Sequence, residues 1–248
     1  MKRNRLNLLV LLFIFGSILC GCVYSPTDPI NNLPVFSLQQ AYRIAVADTE
    51  IAEPYEIYDN LVAIVESNNS LTWSSDKHLL KVVTWTSWRE YLRHIDSSTH
   101  LEKEVWVTVV PEIQNFCKEK INSEENLTLR LEQLLGLPPN SGKTFFVEMW
   151  VEPKDLFRPS PDPEITDSVA ELDFSQNVNE KHIEWFINLK SESYVGEYIY
   201  PWTRLGYTYD WGNPKGEIGL SEFVIKQGAT VRIDSVYCTS EYCSKYCK

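Results

Sequence analysis

Aromatic side chains recur at every second position in two short segments, and this is the most distinctive chemical pattern in the chain. The first segment carries Tyr198, Tyr200 and Trp202, and the second carries Tyr207, Tyr209 and Trp211. Because alternate side chains of a strand share one face, each triple would form a row of rings. A turn through residues 203–206 would bring the two rows opposite each other, so the pattern predicts an aromatic hairpin.

Rings on such a hairpin could form a platform on which an envelope sugar or peptide stacks. Arg204 and Asp210 would supply directed hydrogen bonds, and Pro201 would keep the first strand at a sheet edge. The predicted binding residues are Tyr200, Trp202, Arg204, Tyr209 and Trp211. The alternative is a cross-strand cluster that covers the core and contacts no ligand.

His182 is the histidine most suited to catalysis, because it lies at the start of a predicted helix close to several acidic residues. A carboxylate such as Asp173 or Asp210 could orient its ring, which would make His182 the general base of an envelope hydrolase. These carboxylates are chosen by proximity in sequence. The alternative is a surface or packing histidine, and the H-E-x-x-H and G-x-S-x-G motifs of common hydrolases are both absent.

A third candidate site is an acidic segment whose carboxylate oxygens could bind calcium. Its acidic residues are Asp162, Glu164, Asp167, Glu171 and Asp173. An EF-hand loop needs fixed ligand offsets and a central glycine, and this segment has neither. The alternative is a solvated loop, and we predict no metal or cofactor for this chain.

The first 21 residues have the composition of an export signal. Lys2, Arg3 and Arg5 precede an apolar run over residues 8–19, which is the order of charged and apolar regions in a secretory signal peptide. A membrane-spanning helix needs about 20 apolar residues, so this run is too short to span a bilayer. We therefore predict that residues 1–21 are removed during export.

The residues at the predicted cleavage site, Leu19, Cys20, Gly21 and Cys22, resemble the bacterial lipobox. The resemblance implies that the sulfur of Cys22 carries a diacylglycerol and that its freed amine carries a third acyl chain. Each buried methylene contributes about 0.8 kcal/mol, so several chains would anchor the protein stably. Val23 does not favour inner-membrane retention, so we expect the outer membrane. The alternative is an ordinary secretory signal that leaves Cys20 or Cys22 for a disulfide.

The remaining cysteines are an even number in a compartment that oxidises thiols, which predicts two disulfides. They are Cys117, Cys238, Cys243 and Cys247. Three pairings are possible, and we prefer the one that joins Cys117 to one of the other three and closes a short loop within the C-terminal tail. A zinc site is the alternative, because C-x4-C-x3-C places three ligand residues close together.

The charge of the exported chain argues against nucleic acid as a partner. The full sequence has 23 basic and 34 acidic residues and a net charge of −11. Removal of residues 1–21 takes away three basic residues and no acidic residue, which leaves a net charge of about −14. Phosphate recognition needs clustered lysine and arginine, and no basic cluster follows the leader. We therefore expect the acyl chains to be the only link to the membrane.

Proline-rich residues 22–36 predict a flexible tether, and residues 37–248 predict one α+β domain with a largely antiparallel sheet and flanking helices. Runs of β-branched and aromatic residues predict strands at 61–65, 79–86, 105–110, 144–151, 220–226 and 230–236. Periodic apolar residues predict helices that begin at Ser37, at Pro111, after an Asn122 and Glu125 cap, and at 178–189. Gln227 and Gly228 predict a hairpin turn between the last two strands.

Overall fold

The computed structural model describes residues 35–120 and 126–244. The predicted leader, the predicted anchor Cys22, the predicted tether up to residue 34 and the C-terminal Cys247 lie outside these described residues. Within 35–120 and 126–244, every helix falls short of the length and apolar character that a membrane-spanning segment needs.

The described residues contain α-helices and strands that alternate irregularly along the chain. The helices are α1 (Val35–Asp48), α2 (Glu112–Lys120), α3 (Leu127–Leu134), α4 (Glu180–Ser193) and α5 (Thr239–Ser244). The strands are β1 (Leu80–Thr86), β2 (Ser98–His100), β3 (Val105–Val109), β4 (Phe145–Val151), β5 (Leu156–Phe157), β6 (Tyr207–Tyr209), β7 (Ile218–Ser221), β8 (Phe223–Ile225) and β9 (Thr230–Cys238).

The main sheet has seven strands in the order β2-β9-β4-β1-β3-β8-β5, and every neighbouring pair is antiparallel. Strands β6 and β7 form a second, two-stranded sheet. This architecture confirms the prediction of a single α+β domain. The side chains of β1 point alternately to the two faces of the sheet and pack in two apolar clusters. Leu80 and Val82 belong to the larger cluster. Val83 and Trp85 belong to a second cluster, together with Phe146.

A disulfide joins Cys117 of α2 to Cys243 of α5, which confirms the prediction that Cys117 is linked to the C-terminal segment. The zinc alternative is wrong, because this bond consumes the sulfur of Cys243, the middle ligand of the C-x4-C-x3-C spacing. Cys238 is exposed and has no disulfide partner within the described residues. The predicted short loop in the tail involves Cys247, which lies outside those residues.

Two of the predicted strand arrangements are wrong. Residues 61–65 form no strand, because they bond to a segment without regular secondary structure: the N–H of Leu61 donates to Ser168 and that of Ile64 to Ile165. The hairpin through Gly228 is also absent, since β8 pairs with β3 and β5 whereas β9 pairs with β4 and β2. The N–H of Gly228 donates to the carbonyl of Leu101, and the chain crosses between distant strands there.

The predicted aromatic hairpin is wrong as well. Its second segment is strand β6, but β6 pairs with β7, and the first segment contributes only an isolated bridge between Trp202 and Thr208. The N–H of Trp202 donates to the carbonyl of Tyr200 two residues earlier, which turns the chain and ends the alternation. Pro201 has no N–H to donate to a partner strand at this point.

The predicted helices exist, but two of them begin elsewhere. Helix α1 begins at Val35, two residues before the predicted cap Ser37. Helix α3 is capped by Asn126, whose side chain accepts from the N–H of Leu129, while residues 121–125 lie outside the described part of the chain. Asn179 caps α4 by accepting from the N–H of Lys181.

Candidate ligand-binding cleft

Strands β1 and β3 are paired along only part of their length. Their register joins Val82 to Val109 and Val83 to Thr108 and extends no further. Beyond this point β1 remains paired with β4 as far as Thr86, and β3 remains paired with β8 from residue 105. The main sheet therefore divides into two parts, β2-β9-β4-β1 and β3-β8-β5, and a gap opens between them.

A cleft of about 870 Å³ occupies this gap. Consecutive residues of both strands line it, namely 83–86 on β1 and 104–108 on and before β3. Side chains alternate between the two faces of a sheet, so a pocket on one face would be lined by every second residue. Because consecutive residues of both segments line it, the cleft borders their backbones as well as their side chains.

Aromatic rings form one wall of the cleft. Trp106 of β3 meets the edge of Trp202 with ring centroids 6.2 Å apart and lies 6.5 Å from Trp185 of α4. Trp202 is held in place because its indole N–H donates to the carbonyl of Pro159 at 3.1 Å. Tyr200 completes this wall at the rim, where 42% of the residue is exposed. Such rings offer large apolar contacts with polar edges.

Ionisable groups also line the cleft. Burial raises the pKa of Glu222 to about 8, so this carboxyl is largely protonated near neutral pH and can donate a hydrogen bond. Burial lowers the pKa of Lys143. The other charged side chains of the lining are Glu90, Glu102, Lys103 and Glu104. Carboxyl groups therefore outnumber ammonium groups in the cleft.

Three of the five predicted binding residues line the cleft: Tyr200, Trp202 and Tyr209. Trp211 is instead buried, donates its indole N–H to the carbonyl of Leu137 at 3.0 Å and packs against Tyr42. It belongs to the core, as the packing interpretation of the aromatic pattern predicts.

Arg204 is also buried away from the cleft. Its guanidinium donates to the carbonyl of Thr49 at 2.8 Å and lies over the ring of Tyr194. Its backbone adopts a φ of 62°, in the left-handed region that non-glycine residues rarely occupy. Arg204 therefore anchors the segment that precedes β6, and its described contacts are internal.

The predicted catalytic residues do not form one site. Asp210 is buried and makes a two-pronged ion pair with Arg130, at 2.8 and 2.6 Å. Asp173 is exposed. The Nε2 of His182 lies 2.8 Å from the carbonyl oxygen of Ser160, and in the described part of the chain no carboxylate is within ion-pairing distance of its ring.

His182 is packed among aromatic rings. Its ring stacks on Trp185 with centroids 5.4 Å apart and contacts the edge of Phe157 at 5.5 Å. Because a carbonyl oxygen only accepts, Nε2 carries the proton of the bond to Ser160. Burial lowers the pKa of His182, which favours the neutral ring. These contacts are those of a packing histidine.

The acidic segment folds around a buried cation of the protein itself. Arg158 is fully buried and donates to the carbonyls of Glu164 at 3.0 Å and Asp167 at 2.9 Å. The Arg158 side chain also packs against Gly206, because a Cβ atom at position 206 would lie only 2.8 Å from the Cδ of Arg158. Among the described residues, no three acidic, histidine or cysteine side chains are grouped as metal ligands.

Sequence reasoning missed Trp106, Trp185, Lys143 and Glu222 as residues at or beside the cleft. Trp106 alternates with valines in β3, a pattern that indicates a strand and carries no sign of a ligand. Their convergence depends on where two strands part, which is a property of long-range pairing. No family model, curated protein or solved structure matches this chain.

Proposed function

We propose that this protein is a binding module whose ligand occupies the cleft between β1 and β3. The observation that carries the proposal is a cleft of about 870 Å³ that combines aromatic rings with a few ionisable groups. Ligand sites in proteins have volumes of roughly 300–1,000 Å³ and pair apolar walls with a small number of polar groups. An envelope peptide or glycan has the apolar surface and hydrogen-bonding groups that such a lining recognises.

We place this module at the surface of the bacterial envelope, held by acyl chains on Cys22. The resemblance of residues 19–22 to the lipobox supports this location, and the disulfide between Cys117 and Cys243 fits an oxidising compartment. Mass spectrometry of the natural protein should find a triacylated N-terminal cysteine at position 22. A retained leader or an unmodified Cys22 thiol would contradict the location.

Tryptophan fluorescence tests ligand binding, because Trp106 and Trp202 lie in the cleft wall. The full natural protein in mild detergent should show a saturable change in emission when titrated with peptides or glycan fragments released from the envelope. Tyr200→Ala, which removes a ring from the rim, should raise the Kd about fivefold or more, because a stacked ring contributes roughly 1 kcal/mol.

Tyr198→Ala is the matched control. Tyr198 lies two residues away, is 75% exposed and does not line the cleft. Its replacement should leave the Kd unchanged. Equal effects of the two substitutions, or no saturable change with any envelope fraction, would contradict the proposed function.

A further inference from the structure

The backbone groups of β1 and β3 that face the gap can be identified from their shared register. The N–H of Val110 donates to the carbonyl of Lys81 at 3.1 Å, so the backbone groups of these two residues point towards each other. The N–H of Lys81 itself donates to the carbonyl of Thr72. In an antiparallel ladder such facing pairs recur at every second residue. Val83 with Thr108 is therefore the next such pair, and Trp85 with Trp106 would be the one after it.

Trp85 and Trp106 are not partners in the sheet. Each strand is paired on its outer side, β1 with β4 and β3 with β8. The backbone N–H and C=O groups of Trp85 and Trp106 therefore point towards each other across the cleft, where the ladder has stopped. The same alternation directs the backbone of Glu104 into the cleft.

Two facing strand edges are a template for an extended chain. A strand laid between them would lie about 4.8 Å from each edge and would satisfy both sets of backbone groups. The cleft borders the backbones of both strands where their pairing stops, which is the place such a strand would occupy. A glycan has no regular row of amide donors and acceptors to match these edges.

The charge of the lining restricts the side chains of such a peptide. Its ionised carboxylates are those of Glu90, Glu102 and Glu104, because Glu222 is largely protonated near neutral pH, and its ammonium groups are those of Lys103 and Lys143. The whole chain has a net charge of −11. A neutral or basic peptide therefore suits the cleft, and an acidic peptide would be repelled.

We propose that the cleft binds a short neutral or basic peptide as an extended β-strand inserted between β1 and β3. The inference rests on the proposed function and names its ligand class. The facing segments, 84–86 and 104–107, are three and four residues long. A strand rises about 3.3 Å per residue in ligand and protein alike, so roughly four ligand residues would be held between the edges, and a pentapeptide would span them.

The first experiment titrates the full natural protein in detergent with a blocked pentapeptide, lysine-valine-threonine-valine-lysine, followed by tryptophan fluorescence. Two further versions carry N-methyl groups on alternate backbone nitrogens, one at odd and one at even positions. A strand between two edges uses the N–H groups on both of its sides, so each version should bind at least tenfold more weakly. Loss in only one version would indicate addition to a single edge and would overturn the insertion between β1 and β3.

The second experiment compares Glu104→Pro with Glu104→Ala. Both variants lose the carboxylate that accepts from the indole of Trp185 at 2.7 Å, and only the proline variant also loses the N–H that faces the cleft. The proline variant should bind the pentapeptide at least fivefold more weakly than the alanine variant. Circular dichroism reports whether both are folded. Equal affinities in folded variants would overturn the proposal.

Amide hydrogen exchange gives a direct measurement on the unmodified protein. The pentapeptide should slow exchange at the N–H groups of Trp85 and Trp106 at least tenfold, because both become hydrogen-bonded in the bound state. Unchanged exchange at both positions on saturation would overturn strand insertion. If glycan fragments bind in the cleft and the pentapeptide does not, this inference fails and the proposed function stands. If neither binds, both fail.

Discussion

The free energy of unfolding should fall as the pH rises, and replacing Glu222 by glutamine should make this fall smaller. Burial raises the pKa of Glu222 from 4.5 to about 8 in the folded state. The folded state therefore binds the proton more tightly than the unfolded state. The corresponding stability is fully present below pH 4.5 and is lost as the pH rises towards 8.

The magnitude follows from the size of this shift. Each pKa unit corresponds to 1.36 kcal/mol, so the full shift corresponds to about 5 kcal/mol lost between pH 4.5 and pH 8. Glu112 is subject to the same effect, because burial raises its pKa to about 8 as well. These two groups have the largest raised shifts among the carboxyls, and Glu222→Gln should remove the share of the loss that belongs to Glu222.

Urea denaturation at a series of pH values between 4.5 and 8.5 measures this difference. The free energy of unfolding of Glu222→Gln should fall less steeply than that of the wild type, and the two curves should diverge above pH 5. Glu102→Gln is the control, because Glu102 is an exposed residue of the same cleft, and its curve should follow the wild type. Parallel curves for the wild type and Glu222→Gln would refute the raised pKa of this carboxyl.

Two further predictions concern stability at neutral pH. Replacement of Cys117 and Cys243 by serine should lower the free energy of unfolding by up to about 5 kcal/mol, because the disulfide closes a loop with a sequence separation of 126. Denaturant titration measures this loss, and an unchanged midpoint would contradict the prediction. Asp210→Ala should cost about 3–5 kcal/mol, because it leaves the guanidinium of Arg130 without its buried partner. Asp173→Ala, at an exposed carboxylate, should change the midpoint little, and equal effects of the two aspartate substitutions would refute the role of the ion pair.

The elements that the sequence predicted correctly are those fixed by local pattern. The β-branched run over 79–86 became β1, and the run over 144–151 became β4, because such side chains pack well on both faces of a buried sheet. The helix at 178–189 was also correct, and its Asn179 cap extends the same local signal. The class of fold followed from the irregular order of these elements.

The errors arose where a distant partner overrode a local signal. The turn at Gly228 is typical of a hairpin, but Gly228 bonds to Leu101 and the chain passes to a different part of the sheet. Alternation through Tyr200 and Trp202 is typical of a strand, but a bond between these two residues turns the chain. The cleft depends on where β1 and β3 part, and no local pattern encodes that point.

The close fit between Arg158 and Gly206 couples two segments that are remote in sequence. Gly206 has a φ of 74°, and a methyl group there would collide with the Arg158 side chain and with Leu61. The loop that carries Trp202 is thus held in position by a glycine that does not line the cleft. A single added carbon at 206 would displace a wall of the cleft, so the shape of the cleft depends on a position outside its lining.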